Sequence, residues 1–339
     1  MRFGYTETCL DHDPGARHPE SPDRLRAIRR GLAKKHGVEY VDPAPAEVED
    51  AVRAHEAGYI DEIQAFCETG GGNWDPDTVA TEATWPAALA SAGLSIWAAQ
   101  EAVDGASGRK TPFALGRPPG HHATADDAMG FCFINNAAVA AEAMLESAPE
   151  VDRVAIFDWD VHHGNGTQDI FYDREDVFYG SIHEDGLYPG TGLEDETGDG
   201  SGHGTTLNTP LPAGASDADY CAVWDELFAP AIEAFDPDLF LVSAGFDAHR
   251  HDPISRMHVT TEGYGLLTER VRDVADVTDA ALAFVLEGGY SMDTLSEGVS
   301  MVHEVFDGRD PVSPEEGVQD DVTGLIDRIE SDHQGVGEK

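Results

Sequence analysis

Residues 158–168 constrain the fold and the chemistry of this chain more than any other stretch. They follow residues 154–157, a short apolar and β-branched run that is typical of a buried parallel strand. Two aspartates and two histidines crowd the end of that strand, although burying a charge costs several kcal/mol unless it is paired or bound to a metal. Ligands bind at the carboxyl ends of strands in open α/β sheets. The stretch therefore predicts an α/β fold with a metal site at a strand end.

Short apolar runs alternate with helical periodicity along the chain, which is the pattern of an α/β domain. No internal repeat or interdomain linker divides the 339 residues, and we expect a single domain over residues 1–306. The predicted strands are 112–115, 153–158, 176–182, 238–244 and 281–286. Each of them runs into a polar or glycine-rich segment, so we expect five strand ends to converge on one site.

The other segments are predicted to be helices, one long loop and an acidic tail. A helix begins at Ser21-Pro22-Asp23, because a capping serine, a proline at the first helical position and an early acid favour a helix start. Further helices are predicted over 86–100, 136–147, 218–235 with a break at Pro230, and 264–274. Residues 184–216 are rich in glycine and predict a long loop. Residues 307–339 form an acidic tail, in which the apolar patch Val322, Leu325 and Ile326 indicates a loosely held helix.

The chain is extremely acidic, with 65 aspartates and glutamates against 21 lysines and arginines. Such a surface repels nucleic acid, so no direct binding to it is expected. The apolar fraction of 41% argues against a disordered chain. We interpret the charge as that of a halophilic protein, because concentrated salt screens the self-repulsion. Attraction of a basic substrate is the alternative.

Three further features bear on the environment of the protein. No run of about 18 apolar residues is present, so no membrane span is expected. Residues 1–5 lack the apolar segment of a secretory leader, which predicts a cytoplasmic protein. The four cysteines have no CxxC spacing, so neither a disulfide framework nor a cysteine zinc site is expected. The sequence gives no indication of the oligomeric state.

Asp160, His162 and Asp247 are the candidate metal ligands. Asp160 and His162 are alternate residues of an extended segment and point the same way, and Asp247 follows a separate predicted strand. One nitrogen and two carboxylate oxygens suit Zn²⁺ with an open coordination position, as in a catalytic site. A hydrogen-bonded pair without a metal would explain the first two residues but not the third.

His121 and His122 follow the stiff segment 118–120, Pro-Pro-Gly. Two adjacent imidazoles beside a metal indicate proton transfer to and from a metal-activated water. Asp158 is a candidate partner for one of them and Asn165 for the other. A carboxylate raises the pKa of its partner more than a neutral amide does, so the two histidines need not share one pKa.

Three aromatic residues are candidates for the substrate path. Tyr290 follows Gly288 and Gly289, whose small size lets the phenol approach the metal and stabilise an oxyanion. Phe131 and Tyr188 are candidate walls of an apolar channel. A packed structural aromatic is the ordinary alternative for each of the three.

Six motifs of this sequence resemble those of the histone deacetylase superfamily, and most closely its class II and prokaryotic acetoin-utilisation-type members. They occur in the family's order between about residues 5 and 305. The matching segments are 117–123, 130–136, 158–168, 189–192, 243–247 and 287–290. The resemblance implies the arginase/deacetylase fold, a mostly parallel sheet of about eight strands with helices on both faces.

The resemblance also implies a zinc-dependent deacetylase that hydrolyses the amide bond of Nε-acetyl-lysine in a protein or peptide. Its zinc ligands would be Asp160, His162 and Asp247. A potassium ion would lie beneath the zinc, near Asp158, Asp160, His162, Ser181 and Ile182. Arg24 resembles an arginine that lines an inner cavity for acetate release.

By the same resemblance, His122 would act as general base and then acid, with Asn165 as its orienting partner. His121 would be an electrostatic neighbour that Asp158 orients. Tyr290 would polarise the scissile carbonyl, and its presence predicts an active enzyme, because the members that carry histidine there are feeble on acetyl-lysine. Asparagine at position 165 is the choice of class II.

The tunnel residues of the family also have counterparts. Phe131, with its neighbour Gly130, and Tyr188 match the aromatic pair that flanks the acyl-lysine tunnel. Tyr188 replaces the commoner phenylalanine and leaves the acyl-chain preference open. Ile254 stands where the polyamine deacetylase carries a gatekeeping glutamate, and an apolar residue there offers no partner to a cationic polyamine.

Three alternatives stay open. An acetylpolyamine or other small acyl-amine amidohydrolase would share the chemistry. An arginase-type di-manganese hydrolase would share the fold, although His249 stands where such enzymes place an aspartate. An inactive zinc-binding scaffold would be expected to lack the histidine pair or Tyr290, and this chain has both.

Overall fold

The structure is a computed structural model that describes residues 1–334. The strands are β1 (Arg2–Gly4), β2 (Glu39–Val41), β3 (Gly72–Asn73), β4 (Val79–Ala80), β5 (Pro112–Ala114), β6 (Val154–Asp158), β7 (Val177–Glu184), β8 (Thr206–Leu211), β9 (Leu239–Ala244) and β10 (Ala281–Leu286). Eight of them form one sheet in the order β2-β1-β5-β10-β9-β6-β7-β8, and every pairing in it is parallel. β3 and β4 form a small antiparallel pair.

The central strands are buried at every position of β6, β7 and β9. Such nearly continuous apolar runs are typical of parallel sheets whose two faces are both covered by helices. The register pairs Asp158 at the end of β6 with Ser181 of β7 and Ser243 of β9. The carboxyl ends of these strands therefore lie at one edge of the sheet, and the predicted α/β fold of about eight strands is confirmed.

Within residues 1–334, helices lie wherever the sequence predicts them, and five further α-helices were not predicted. The α-helices are α1 (Thr8–Asp11), α2 (Asp23–Leu32), α3 (Val48–Ala51), α4 (Ala57–Glu68), α5 (Thr84–Val103), α6 (Asn136–Ser147), α7 (Asn165–Phe171), α8 (Asp217–Val223), α9 (Ala229–Phe235), α10 (Thr261–Thr278), α11 (Met292–Phe306) and α12 (Asp320–Gln334). The expected capping role of Ser21 is wrong, because α2 begins after Pro22 and no side chain caps it.

The predicted break at Pro230 is confirmed. A π-helical turn, Trp224–Phe228, separates α8 from α9, and Pro230 lies in the first turn of α9. Proline has no N–H group and its ring crowds the carbonyl four residues earlier, so a regular α-helix cannot run through it. The wider π turn accommodates the proline while the chain direction is kept.

The prediction of a continuous loop over 184–216 is wrong at β8. Residues Thr206–Leu211 form the strand at the edge of the sheet and pair with β7 on one side. The strand contains Pro210, which is tolerated because an edge strand needs backbone donors on one side only. Polar residues and a proline interrupt the apolar positions of this strand, so a search for apolar runs does not detect it.

The acidic tail contains α12, and the apolar side of this helix is part of the core. Val322, Leu325, Ile326 and Ile329 of this helix are buried. Gln319, just before the helix, donates from its backbone N–H to Asp219 Oδ1 at 2.8 Å. No helix within residues 1–334 is long and apolar enough to cross a membrane. The division into a domain over residues 1–306 and an acidic tail over residues 307–339 stays a prediction.

Candidate active site

Asp160, His162 and Asp247 meet at the carboxyl edge of the sheet. The first two follow β6 and the third follows β9, and their ligand atoms all lie within 4.8 Å of one another. His162 Nδ1 is 2.9 Å from Asp160 Oδ1 and 3.3 Å from Asp247 Oδ2. Among the described residues, these three make up the single group of histidine, cysteine and acidic side chains with the spacing of a metal site.

The electrostatics of this group fit a bound cation. Asp247 Oδ2 is buried and accepts no hydrogen bond. Burial raises the pKa of Asp247, and the nearby charge of Asp160 raises it further. Burial lowers the pKa of His162, but its hydrogen bond to Asp160 and the nearby charges of Asp247 and Asp160 outweigh that effect and raise the pKa to about 10. Two carboxylates and one imidazole with an unused oxygen are the donor set of an open zinc site.

Two glycines leave space for the carboxylates of the candidate ligands. A side chain at Gly288 would collide with the carboxylates of Asp160 and Asp247, and one at Gly245 would collide with Asp160. The backbone N–H of Gly288 instead donates to Asp160 Oδ2 at 2.7 Å. The loop after β10 therefore packs directly against the candidate ligands.

His121 and His122 lie on the loop after β5, with ring centroids 4.0 Å apart. His121 Nδ1 is 3.0 Å from Asp158 Oδ2, and His122 Nδ1 is 2.8 Å from Asn165 Oδ1. Each histidine thus has one of the two predicted partners. The geometry assigns the carboxylate to His121 and the amide to His122.

The two imidazoles differ in proton affinity. Burial lowers the pKa of His121, but the charges of Asp160 and Asp158 outweigh it and raise the pKa to about 10. Burial and the charges of His121 and His162 hold the pKa of His122 well below its usual range. His121 therefore carries a proton at neutral pH, while His122 is free to accept one.

Glu287 holds the histidine loop and was not assigned a role from the sequence. Its Oε2 accepts hydrogen bonds from the backbone N–H groups of Gly120 at 2.7 Å and His121 at 3.2 Å. Its Oε1 accepts one from Ser243 Oγ at 3.3 Å. Burial raises the pKa of Glu287 to about 7, although the charge of His121 opposes the shift. The sequence signal that could have identified Glu287 is its position directly after β10.

The aromatic residues lie against the reactive side chains. The ring of Phe131 is 5.8 Å from that of Tyr290, and the ring of Tyr188 is 5.1 Å from that of His122, nearly perpendicular to it. Phe131 has a φ of 70°, which costs an L-residue roughly 1 kcal/mol or more. A side chain at its buried neighbour Gly130 would collide with His122. The backbone is thus shaped to place these rings beside the site.

Tyr290 is 9% exposed, and burial raises the pKa of its phenol well above the usual value although Arg24 opposes the shift. The guanidinium of Arg24 lies 5.1 Å from the centre of the Tyr290 ring. Its Nε donates to the carbonyl oxygen of Gly289 at 2.8 Å. Arg24 therefore supports the loop that carries Tyr290, and its role in acetate release stays a prediction.

Ile254 is half-buried, and its backbone N–H donates to Asp252 Oδ1 at 3.1 Å. Asp252 also accepts hydrogen bonds from the backbone of Tyr290 and Ser291. Sequence reasoning missed Asp252, because bonds to backbone N–H groups leave no trace in a pattern of residue types. The one sequence signal that could have identified Asp252 is that this acidic residue follows closely after Asp247.

The residues of the expected potassium site, two of which are also candidate ligands, are all buried. Asp158 Oδ1 accepts a hydrogen bond from the backbone N–H of Asp160 at 3.0 Å. Ser181 pairs with Asp158 in register, and its hydroxyl lies 2.9 Å from His183 Nδ1. Ile182 follows in the same strand. Whether they hold potassium stays a prediction.

His163, the last histidine of the 158–168 stretch, faces away from this group. Its Nδ1 lies 2.8 Å from Thr191 Oγ1, and its Nε2 lies 2.9 Å from Gln168 Oε1. Burial lowers its pKa to about 4. Both ring nitrogens are satisfied, so His163 has a structural place in the fold.

Comparison with known proteins agrees with this geometry. Residues 18–306 match the histone deacetylase domain family. The chain is 40% identical over 327 residues to histone deacetylase 10, chloroplastic, of Oryza sativa subsp. japonica, covering 89% of this chain and 72% of that protein. It is 38% identical over 314 residues to the histone deacetylase-like amidohydrolase of Pseudomonas aeruginosa, covering 85% and 81%. The crystal structure of the HDA15 HD domain matches with a TM-score of 0.90 at 34% identity, over 98% of this chain and 94% of that one.

The parallel sheet and the polar group at its carboxyl edge define a hydrolase with the arginase/deacetylase fold. The chain belongs to the histone deacetylase family, whose domain covers most of its length. The resemblance read from the six motifs is thereby confirmed.

Proposed function

We propose that this protein is a zinc-dependent deacetylase that hydrolyses the amide bond of Nε-acetyl-lysine in a protein or peptide. One observation carries the proposal. The group formed by Asp160, His162 and Asp247 has a buried carboxylate oxygen that accepts no hydrogen bond. It lies beside two histidines, one with a raised pKa and one with a lowered pKa. The names of the relatives, histone deacetylase and histone deacetylase-like amidohydrolase, support the same reaction class.

The three candidate ligands would hold Zn²⁺, which acts as a Lewis acid on the carbonyl and lowers the pKa of water toward about 7. His122 accepts the proton of the attacking water and returns it to the leaving amine. Asn165 accepts the Nδ1–H of His122, which leaves Nε2 free to take that proton. The charge of His121 favours the return of the proton by lowering the pKa of His122, in addition to the effect of burial.

Tyr290 donates its phenolic hydrogen to the developing oxyanion, because its raised pKa keeps the hydroxyl protonated. His121, protonated and paired with Asp158, places a positive charge beside His122, whose ring is 4.0 Å away. Phe131 and Tyr188 take the apolar stem of the acyl-lysine side chain and keep water out. Ile254 contributes an apolar contact at the entrance, which disfavours a cationic polyamine.

A potassium ion near Asp158, Asp160, His162, Ser181 and Ile182 belongs to the same proposal. Asp158 and Asp160 are two buried carboxylates of this set, and buried negative charges favour positive charge nearby in a low-dielectric interior. The cytoplasmic location and the high-salt environment stay predictions.

The test is an activity panel in molar KCl together with elemental analysis of the purified protein. We expect about one zinc ion per chain, turnover of an acetyl-lysine peptide in preference to N-acetylspermidine, and inhibition by a hydroxamate. Preference for acetylspermidine would favour the polyamine alternative, and two manganese ions per chain would favour the arginase-type alternative. A zinc-loaded protein that is inert toward all acylated amines would contradict the proposal and favour the inactive scaffold.

A further inference from the structure

One peptide group carries the proposed oxyanion donor, and two side chains of opposite charge hold it. This group joins Gly289 to Tyr290. Its carbonyl oxygen accepts a hydrogen bond from Arg24 Nε at 2.8 Å, and its N–H donates to Asp252 Oδ2 at 2.7 Å. Arg24 is fully buried and Asp252 is 6% exposed. Charged partners in a low-dielectric interior make stronger hydrogen bonds than neutral ones, so this peptide plane is held firmly on both sides.

The peptide group needs such restraint because Gly289, which supplies its carbonyl, is conformationally free. Gly289 has a φ of 117°, a conformation that L side chains rarely adopt, and glycine adds no side-chain packing to hold the chain there. Without Asp252 the N–H of Tyr290 would lose its acceptor in a buried region, which disfavours the observed orientation. Arg24 is itself anchored, because its Nη1 donates to Glu20 Oε1 at 3.3 Å.

Asp252 also holds two further backbone N–H groups. Its Oδ2 accepts a second hydrogen bond from the N–H of Ser291 at 2.9 Å, and its Oδ1 accepts one from the N–H of Ile254 at 3.1 Å. A single carboxylate thus connects the backbone of the proposed oxyanion donor with the backbone of the proposed entrance residue.

We propose that Asp252 is a positioning residue that holds the Tyr290 phenol at the developing oxyanion and couples this position to that of Ile254. The inference rests on the proposed function and deepens it. Asp252 touches no reacting atom and acts through the backbone of Tyr290. Its loss therefore lowers activity only while Tyr290 has a hydroxyl to position.

A double-mutant cycle tests this dependence. Asp252→Ala is expected to lower kcat roughly 10- to 100-fold, as for a reacting group displaced by about 1 Å. Combined with Tyr290→Phe, the same substitution is expected to change kcat by less than about twofold, because no hydroxyl is left to misplace. Asp252→Asn keeps one acceptor oxygen and is expected to lie between the wild type and Asp252→Ala. It also serves as the readout if the alanine variant does not fold.

Asp238 provides a matched control. Its Oδ2 accepts hydrogen bonds from the N–H groups of Asp152 at 2.8 Å and Arg153 at 2.9 Å, the same two-amide arrangement that Asp252 makes. It precedes β9 at the amino edge of the sheet, opposite to the candidate site. Asp238→Ala is expected to lower Tm and to leave kcat within about twofold of the wild type.

The outcomes separate the two proposals. An equal fall in kcat on Asp252→Ala with and without Tyr290→Phe, or an equal fall on Asp238→Ala, would show a merely structural role and overturn the positioning proposal. An inert wild type would overturn the proposed function instead, whereas full activity of Tyr290→Phe would overturn the donor role of Tyr290 and the positioning proposal with it. Deuterium exchange then decides the positioning on its own: exchange at the Tyr290 and Ser291 amides must be faster in Asp252→Asn than in Asp238→Ala, and no increase overturns it.

Discussion

Asn165 Oδ1 lies 2.8 Å from Nδ1 of His122. The neighbouring imidazole, His121, faces a carboxylate oxygen of Asp158 at 3.0 Å instead. A carboxylate stabilises a protonated partner far more than a neutral amide does. Two rings only 4.0 Å apart therefore differ in proton affinity, which is high at His121 and low at His122.

Replacing that amide with a carboxylate should change the pH profile. In Asn165→Asp the new negative charge is expected to raise the pKa of His122 by about 1 to 2 units. A general base must be unprotonated, so the acidic limb of kcat/KM moves to higher pH by the same amount. Steady-state rates between pH 5 and 9 measure the shift, with thermal unfolding as the control for folding. An acidic limb that does not move would contradict the assignment of His122 as the base.

Removing the Tyr290 hydroxyl should affect turnover more than binding. Tyr290→Phe is expected to lower kcat by roughly 10²–10³ with little change in KM, because a donor to the oxyanion acts mainly in the transition state. Tyr264→Phe is the matched control, since that buried hydroxyl has no hydrogen-bond partner, and it should leave kcat unchanged. Zinc content is expected to be the same in both variants. Equal kcat values for the two variants would rule out the donor role.

Stability should fall as the pH is lowered from about 6.5 to 4. Burial lowers the pKa of His55 to about 4, and its Nε2 accepts a hydrogen bond from the Asn135 N–H at 2.9 Å. Between the two pKa values the unfolded chain binds the proton and the folded chain does not, so the free energy of unfolding rises with pH through this window. The contribution is up to roughly 3 kcal/mol, since each pH unit is worth about 1.4 kcal/mol.

Urea unfolding at pH 7 and pH 4.5 measures this effect. His55→Gln offers an amide oxygen to Asn135 without a titrating group, so its loss of stability over the same interval should be smaller than that of the wild type. Equal losses in the two proteins would assign the acid sensitivity to other groups.

Salt should stabilise the protein. A net charge of −44 produces strong self-repulsion, and the screening length falls from about 10 Å at 0.1 M salt to about 3 Å at 1 M. Tm is expected to rise steadily with KCl up to molar concentrations. A Tm that is independent of salt, with a KM for cationic peptides that rises with salt, would favour the alternative that the acidic surface attracts a basic substrate.

The sheet was predictable from the sequence where its strands are fully buried. The runs that became β6, β9 and β10 are apolar at almost every position and end in polar motifs, so both the strands and the edge at which they meet could be inferred. β8 was missed because an edge strand needs no continuous apolar run. β1 and β2 have three residues each and are too short to show a period.

The site was predictable for residues whose chemistry is in their side chains. The ligand trio, the histidine pair and the partners of that pair all follow from residue types at strand ends. Glu287 and Asp252 act by accepting hydrogen bonds from backbone N–H groups of distant loops, and residue identity does not record such bonds. The pairing of His121 and His122 with Asp158 and Asn165 could be assigned only from the structure or from the resemblance.

The candidate ligands come from β6 and β9, which are neighbours in the sheet but belong to distant parts of the chain. A slip of one residue between these strands would shift Asp247 by about 3.3 Å and turn alternate side chains to the opposite face. The metal group can therefore close only in a chain whose central strands are in their native register. If the group holds metal as proposed, a chain with a slipped register is expected to bind less metal than the native chain under the same metal supply.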